Sequence, residues 1–277
     1  MTSNTTGWRA ALARWLGTRI STYLTQRVHG HGSAAATDPA KLMACLQLGD
    51  VVLVEGQTRV SGAVKYLTQS TWSHAALYVG DATGLRDAGG LPRCFLEADI
   101  HDGVRVVSVA AFESLHCRVC RPVGLREGEI ADLVAFAVAR LGHHYDLKNV
   151  LDLMRYLLPN PPVPTRWRRR LLALGSGDPT RAICSTLIAQ AFQSVHYPIL
   201  PLIESIPAND PQCPTCVNEI LHVRHHSLYV PRDFDVSPYF AIVKPTLCAG
   251  FDPHALSWHE SVVAEAAVAR LSVAEPV

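Results

Sequence analysis

Ala182-Ile183-Cys184-Ser185-Thr186-Leu187-Ile188-Ala189-Gln190-Ala191-Phe192 places a thiol at the start of a helix-like stretch. Ile188, Ala191, Phe192 and Val195 recur behind it at a helical period, and the turn-forming Gly177-Asp178-Pro179-Thr180 precedes it. A thiol in a first helical turn feels the positive end of the macrodipole, which favours thiolate, the form that attacks carbonyls. The order along the chain matters as much. The cysteine follows, rather than precedes, a strand-like segment with His74 and another with Glu97. A nucleophile, a base and an orienting carboxylate are the parts of a cysteine hydrolase.

Trp72-Ser73-His74-Ala75-Ala76-Leu77-Tyr78-Val79-Gly80 puts an imidazole at the head of a mostly apolar strand. A strand holds a general base with the precision that proton transfer needs. A lone histidine there reads more simply as a half-buried ring bonded to a carbonyl. That reading weakens because Glu97, in Phe95-Leu96-Glu97-Ala98-Asp99, interrupts an equally apolar strand. If the two strands are neighbours, the carboxylate accepts the imidazole N–H, fixes the tautomer and favours the protonated ring. An outward charge on an edge strand is the plainer account of Glu97. Asp99 shares its face and is the reserve orienter; His101 precedes a turn and reads as exposed.

Gly49-Asp50-Val51-Val52-Leu53-Val54, Trp72 to Gly80, Leu96-Glu97-Ala98 and Ile183-Cys184-Ser185-Thr186-Leu187-Ile188 together resemble permuted papain-like hydrolases of the NlpC superfamily. The YiiX/YebB-like group is the nearest branch, and lecithin:retinol acyltransferase-like enzymes are more distant relatives. In the permuted branch the order is His, acidic or polar residue, Cys, as here. The resemblance spans about Leu48 to Val195. It implies an α+β, circularly permuted papain-like fold: an antiparallel sheet packed on the nucleophile helix, with extra helices. It assigns nucleophile to Cys184, base to His74 and orienter to Glu97. Tyr145, in Gly142-His143-His144-Tyr145-Asp146, matches a Tyr-Asp element of such proteins, and its hydroxyl would donate to a developing oxyanion. A packed tyrosine before a helix-capping Asp146 is the plainer reading. His143 and His144 rank below His74 as bases.

The chemistry expected is acyl transfer through an acyl-enzyme, on an amide or ester of a peptide, an amino-acid amide or a lipid acyl group, with no metal or organic cofactor. Transfer to an amine or alcohol acceptor is a variant of the same chemistry. The rival is a non-catalytic, zinc-stabilised protein attached to a membrane surface. Cys117-x-x-Cys120 and Cys213-x-x-Cys216 have the form of a four-thiolate zinc site. However, residues three apart on a strand face opposite ways, so the first pair is poor for chelation. The favoured reading of Cys213 and Cys216 is a proline-rich loop with two ordinary thiols.

The chain has 277 residues, 48% apolar and 18% charged, so a packed globule is expected. A net charge of +1 gives no case for nucleic acid as partner. Arg9, Arg14 and Arg19 break any signal-peptide core, which makes an uncleaved bacterial cytoplasmic protein the default. The eight cysteines are then expected reduced and mostly buried, Cys45, Cys94 and Cys248 among them.

Residues 1–38 read as an amphipathic helix (Gly7 to Arg27) and a small-residue linker. Packing on the domain surface is the favoured role of that helix; the alternative is a place in the inner membrane interface, with its tryptophans at headgroup depth. Residues 39–200 form the expected catalytic domain, and 201–277 a loop-rich extension packed on it. Within the domain the spacing predicts strands near Val51–Val54, Trp72–Gly80, Cys94–Ala98, Gly103–Val107 and Cys117–Pro122. Helices are predicted over Thr58–Gln69, Glu127–Leu141 and Leu147–Leu158, and a last one over His254–Leu271. Trp167 and its flanking arginines add a basic, aromatic patch that would cap a cleft, meet anionic headgroups or be solvated.

Overall fold

The protein was analysed as a computed structural model, which describes residues 26, 36–99, 102–143, 183–207, 213 and 217–255. The expected helices over Gly7–Arg27 and Leu147–Leu158, the Trp167 patch, His101, His144, Tyr145 and Cys216 lie wholly or almost wholly outside those residues. So does most of the expected last helix, of which a short 3-10 turn at Pro253–Ala255 is described.

The chain runs through helix α1 (Pro39–Cys45), strand β1 (Val51–Glu55), helix α2 (Arg59–Thr68) and strands β2 (His74–Tyr78), β3 (Phe95–Asp99), β4 (Gly103–Val107) and β5 (His116–Pro122). Helices α3 (Glu127–Val138) and α4 (Ile183–Ser194) follow. Strands β6 (Leu202–Pro207) and β7 (Val217–His222), helix α5 (Pro231–Val236), strand β8 (Phe240–Val243) and the single turn α6 (Pro245–Cys248) complete it. Six strands form one antiparallel sheet in the order β4-β3-β2-β1-β5-β8. This is the mixed helical and antiparallel architecture expected of the permuted papain-like fold.

Both faces of the sheet are covered, which explains why its strands read as unbroken apolar runs. Val51, Leu53, Ala75, Leu77, Leu96 and Cys120 pack with Leu133 and Ala137 of α3 and Leu187, Ile188, Ala191 and Phe192 of α4. The alternate residues Val52, Val54, Ala76, Phe95, Cys117 and Val119 pack with Leu42 and Cys45 of α1 and with Phe112. Cys117 and Cys120 therefore lie in separate cores on opposite faces, as strand alternation requires.

Local chemistry sets the element ends. Thr58 caps α2 by accepting the Ser61 N–H at 3.2 Å, and Gln69 ends it in the left-handed conformation. Gly80 turns the chain after β2 at φ +59°, where a Cβ would stand 2.7 Å from Leu48 Cδ2. Asp50, fully buried before β1, accepts Arg121 Nε at 2.9 Å, Arg121 Nη2 at 2.7 Å and the Gln47 N–H at 2.8 Å.

Two expectations need correction. Cys213 is disulfide-bonded, not a free thiol. The expectation of reduced thiols argued from the chain's size and cytoplasmic default, whereas a cross-link depends on two sulfurs meeting locally. Its sulfur is thereby lost to the proposed four-thiolate zinc set, whose other pair is split between two cores; among the described residues no group of three potential ligands gathers. Cys45 is free and buried, as expected, and belongs to a short helix capped by Asp38 that the sequence reading did not predict, because seven residues show little periodicity. Cys248 is exposed, not buried, because it ends a surface turn. No described helix is long and apolar enough to cross a membrane.

Asp50→Ala should leave the Arg121 guanidinium beside the core without its carboxylate. Loss of one partner of such a pair costs ~3–5 kcal/mol. Urea unfolding should show that loss as a lower midpoint at an unchanged slope.

Candidate active site

The site forms where two neighbouring strands part. Strands β2 and β3 pair at Tyr78–Phe95 and Leu77–Leu96, and no further pairing continues towards His74 and Glu97. On β2 the N–H groups alternate: Tyr78 donates to Asp50 on the β1 side at 2.8 Å, and Val79 to Cys94 on the β3 side at 2.9 Å. By that alternation the Ala75 N–H points into the opening on the β3 side, where no strand accepts it. That N–H instead acts on the Cys184 sulfur, where it favours the thiolate. Meanwhile Ser73 secures the end of β2 to β1, accepting the Gly56 N–H at 2.9 Å while its own N–H reaches the Val54 carbonyl at 3.1 Å.

Helix α4 delivers the sulfur. Cys184 lies in its first turn, on the stripe continued by Leu187, Ile188 and Ala191, so packing against the sheet turns the thiol inward. Cys184 keeps 7% exposure, and the His74 side chain keeps 28%. The His74 ring acts on the thiol and favours its charged form, and Ser185 Oγ stands 3.9 Å from Sγ. His74 Nε2 lies 2.7 Å from Glu97 Oε2.

A fourth residue holds the carboxylate. Arg105 is directly opposite Glu97 across the β3–β4 hairpin, and its Nε and Nη2 donate to Glu97 Oε1 at 3.0 Å and 2.9 Å. Its Nη2 also meets Asp99 at 3.2 Å, and its Nη1 bonds Asp102. Asp99 thus holds the arginine, and Glu97 is the ring's carboxylate partner. The sequence reading missed Arg105. The signal was present, because a hairpin with its turn at Asp99–Gly103 sets residues 97 and 105 face to face.

The charges support one another. Burial raises the Cys184 thiol, but the His74 charge and hydrogen bond, with the Ala75 N–H and Ser185, carry it below the ordinary thiol range. Burial works against a charged His74, yet Cys184 and Glu97 hold its pKa well above the usual imidazole value. Burial also opposes ionised Glu97, and His74 and Arg105 overcome it to bring that carboxyl to about 2. Both shifts act in the direction that favours a thiolate beside an imidazolium. In contrast, burial alone pushes the Cys117 thiol up to about 12.

Of the expected site residues, the structure brings Cys184, His74 and Glu97 together, and Tyr145 lies outside the described residues. His143 is exposed, and the groups acting on the Cys184 sulfur do not include it.

Residues 45–156 match the family described as permuted papain-like amidase enzymes, YaeF/YiiX, C92 family. His74 and Glu97 fall inside that span and Cys184 beyond it. The match bears out the resemblance read from the motifs, and the permuted papain-like fold with it. Among solved structures, the chain is similar to the metalloprotein YiiX of Escherichia coli O157:H7. Identity is 15% over 72% of this chain and 96% of that one, with a TM-score of 0.41. A search of curated proteins finds no match.

Thiol alkylation reports the pair directly. In wild type, Cys184 should react with iodoacetamide at lower pH than an ordinary thiol, its rate rising as pH climbs through the depressed thiol value and then levelling. His74→Ala removes the charge that offsets burial, so the rise should move to pH 9 or above. Identical profiles for the two proteins would show that no such pair exists.

Proposed function

We propose that the protein is a cysteine-dependent hydrolase that cleaves an amide or ester bond through an acyl-enzyme. The observation that supports this most is the His74 ring, bonded at Nε2 to the Glu97 carboxylate at 2.7 Å and acting on the Cys184 sulfur in a first helical turn. Family kinship with amidases favours hydrolysis of an amide.

In this reading Cys184 Sγ attacks the substrate carbonyl while His74 still carries the proton taken from the thiol. The carbonyl oxygen becomes an oxyanion beside the start of α4, where main-chain N–H groups lack helical acceptors and the Cys184 N–H is the nearest to the reacting carbon. The Ala75 N–H holds the sulfur. Collapse of the tetrahedral species breaks the carbon–nitrogen or carbon–oxygen bond, and His74 passes its proton to the leaving group. Neutral His74 then takes a proton from water, whose oxygen attacks the thioester. Breakdown releases the acid and regenerates the thiolate–imidazolium pair.

Glu97 keeps the ring in register and stabilises its charge, and Arg105 keeps Glu97 in place. The substrate is an amide or ester of a peptide, an amino acid or a lipid acyl group. Transfer to an amine or alcohol would use the same first half-reaction, and added acceptors that enter the product reveal it.

With an activated ester or amide substrate, wild type should accumulate a covalent adduct whose mass equals the acyl group and whose position maps to Cys184. Cys184→Ala should lose at least ~10³-fold in turnover, as removal of a nucleophile does elsewhere, while its circular dichroism stays unchanged. An adduct on another residue, or unchanged turnover in the folded variant, would falsify the proposal. Arg105→Gln should lower kcat with the fold retained, because Glu97 loses its second partner while His74 remains.

A further inference from the structure

The connection from α2 to β2 leads straight into His74 and walls a cavity of about 360 Å³. Ser70 and Trp72 line it from this side, His116 and Arg118 from β5, and Arg232 and Asp235 from α5. The size falls at the lower end of small-molecule sites, roughly 300–1,000 Å³. An extended chain advances ~3.3 Å per residue, so Trp72 stands ~7 Å of backbone from His74.

Most of the lining is already satisfied. Asp235 accepts Trp72 Nε1 at 3.0 Å and Arg118 Nη1 at 2.7 Å and 3.0 Å. The Arg118 guanidinium lies 4.9 Å from the Trp72 ring centroid, and His116 stacks on that ring at 5.3 Å. These contacts fix a rigid wall on which the charges of Arg118 and Asp235 cancel. Arg232 differs. Its Nη1 donates to the Thr68 carbonyl at 3.2 Å; its charge also acts on the Asp233 carboxylate, but among the described residues it forms no ion pair within 4.0 Å. Asp233, its neighbour in α5, accepts the Val230 N–H at 3.1 Å and stands 3.8 Å from Arg224. The remaining donors of the Arg232 fork are those suited to a planar, two-oxygen acceptor.

The geometry points to this cavity as a subsite for one carboxylate group of the substrate, bound by Arg232 against the Trp72 wall. With Arg118 and Asp235 balanced, the surplus is a single positive charge, which a monoanion neutralises. A phosphate dianion would bring excess negative charge beside Asp235. The subsite rests on the hydrolase reading for its purpose, since the Ser70–Trp72 wall runs directly into β2, two residues before His74. Its affinity for a carboxylate does not depend on that reading.

Butyrate and butyramide titrated into Cys184→Ala protein separate the two questions, with the Trp72 indole N–H resonance followed by NMR and assigned through Trp72→Phe. Butyrate should shift that resonance saturably and butyramide should not. Arg232→Gln should weaken butyrate about tenfold or more, and Arg232→Lys, which keeps the charge without the fork, should recover part of the loss. Equal responses to both probes, an unaltered response in folded Arg232→Gln, or tighter binding of inorganic phosphate than of butyrate would overturn the assignment. In wild type, Arg232→Gln should raise KM for a carboxylate-bearing amide more than for its neutral amide analogue, with kcat nearly unchanged; equal effects on the two also count against it. Butyrate binding without any turnover in wild type would sink the hydrolase reading and leave a carboxylate site standing.

Discussion

A row of alternating charges, sulfur, imidazole, carboxylate, guanidinium, is the constraint around which this molecule is organised. Removing any of these groups from water alone would cost several kcal/mol. Together they are mutually compensated: Glu97 lies between His74 and Arg105, and His74 between Glu97 and Cys184. The row also crosses elements, from α4 through β2 and β3 to β4. Packing of one helix and three strands must therefore be right to within a hydrogen bond for the sulfur to ionise.

The sheet makes that precision available. Strand β1 is central, fully buried, and flanked by β2 and β5, so the His74 strand is held along its whole length on one side. On its other side it separates from β3 after two paired residues, and this opening admits the sulfur. A fully zipped β2–β3 ladder would satisfy the Ala75 N–H with a carbonyl and leave Cys184 without that donor. The site is thus created by an interruption in an otherwise regular sheet, supported by two apolar layers.

Much of this was legible in the residues. Val51–Val54, Phe95–Asp99 and the Ile188–Ala191–Phe192 stripe carry periods that only buried strands and a one-sided helix explain, and Thr58 and Gln69 bracket α2 by their own chemistry. His74 and Glu97 stood out because each interrupts an apolar run. What remained hidden depends on three-dimensional partners. Arg105 looks like any polar residue on a strand until the hairpin register is worked out. The parting of β2 from β3 leaves no mark in composition. The Cys213 cross-link follows from local proximity, about which chain size and expected compartment are silent.

Strand β8 joins the sheet from far along the chain, pairing Phe240–Val243 with Val119–Pro122, and Phe240 meets the Phe192 ring edge-on at 5.1 Å. Recombinant fragments trimmed soon after α4 would strip this border strand away and bare the hydrogen-bonding rim of β5. Such a rim recruits neighbouring chains, so shortened products would be prone to clump in the expression host. They would also lose an aromatic buttress behind the helix that presents the sulfur. Any minimal version made for crystallisation or screening has to run past Val243.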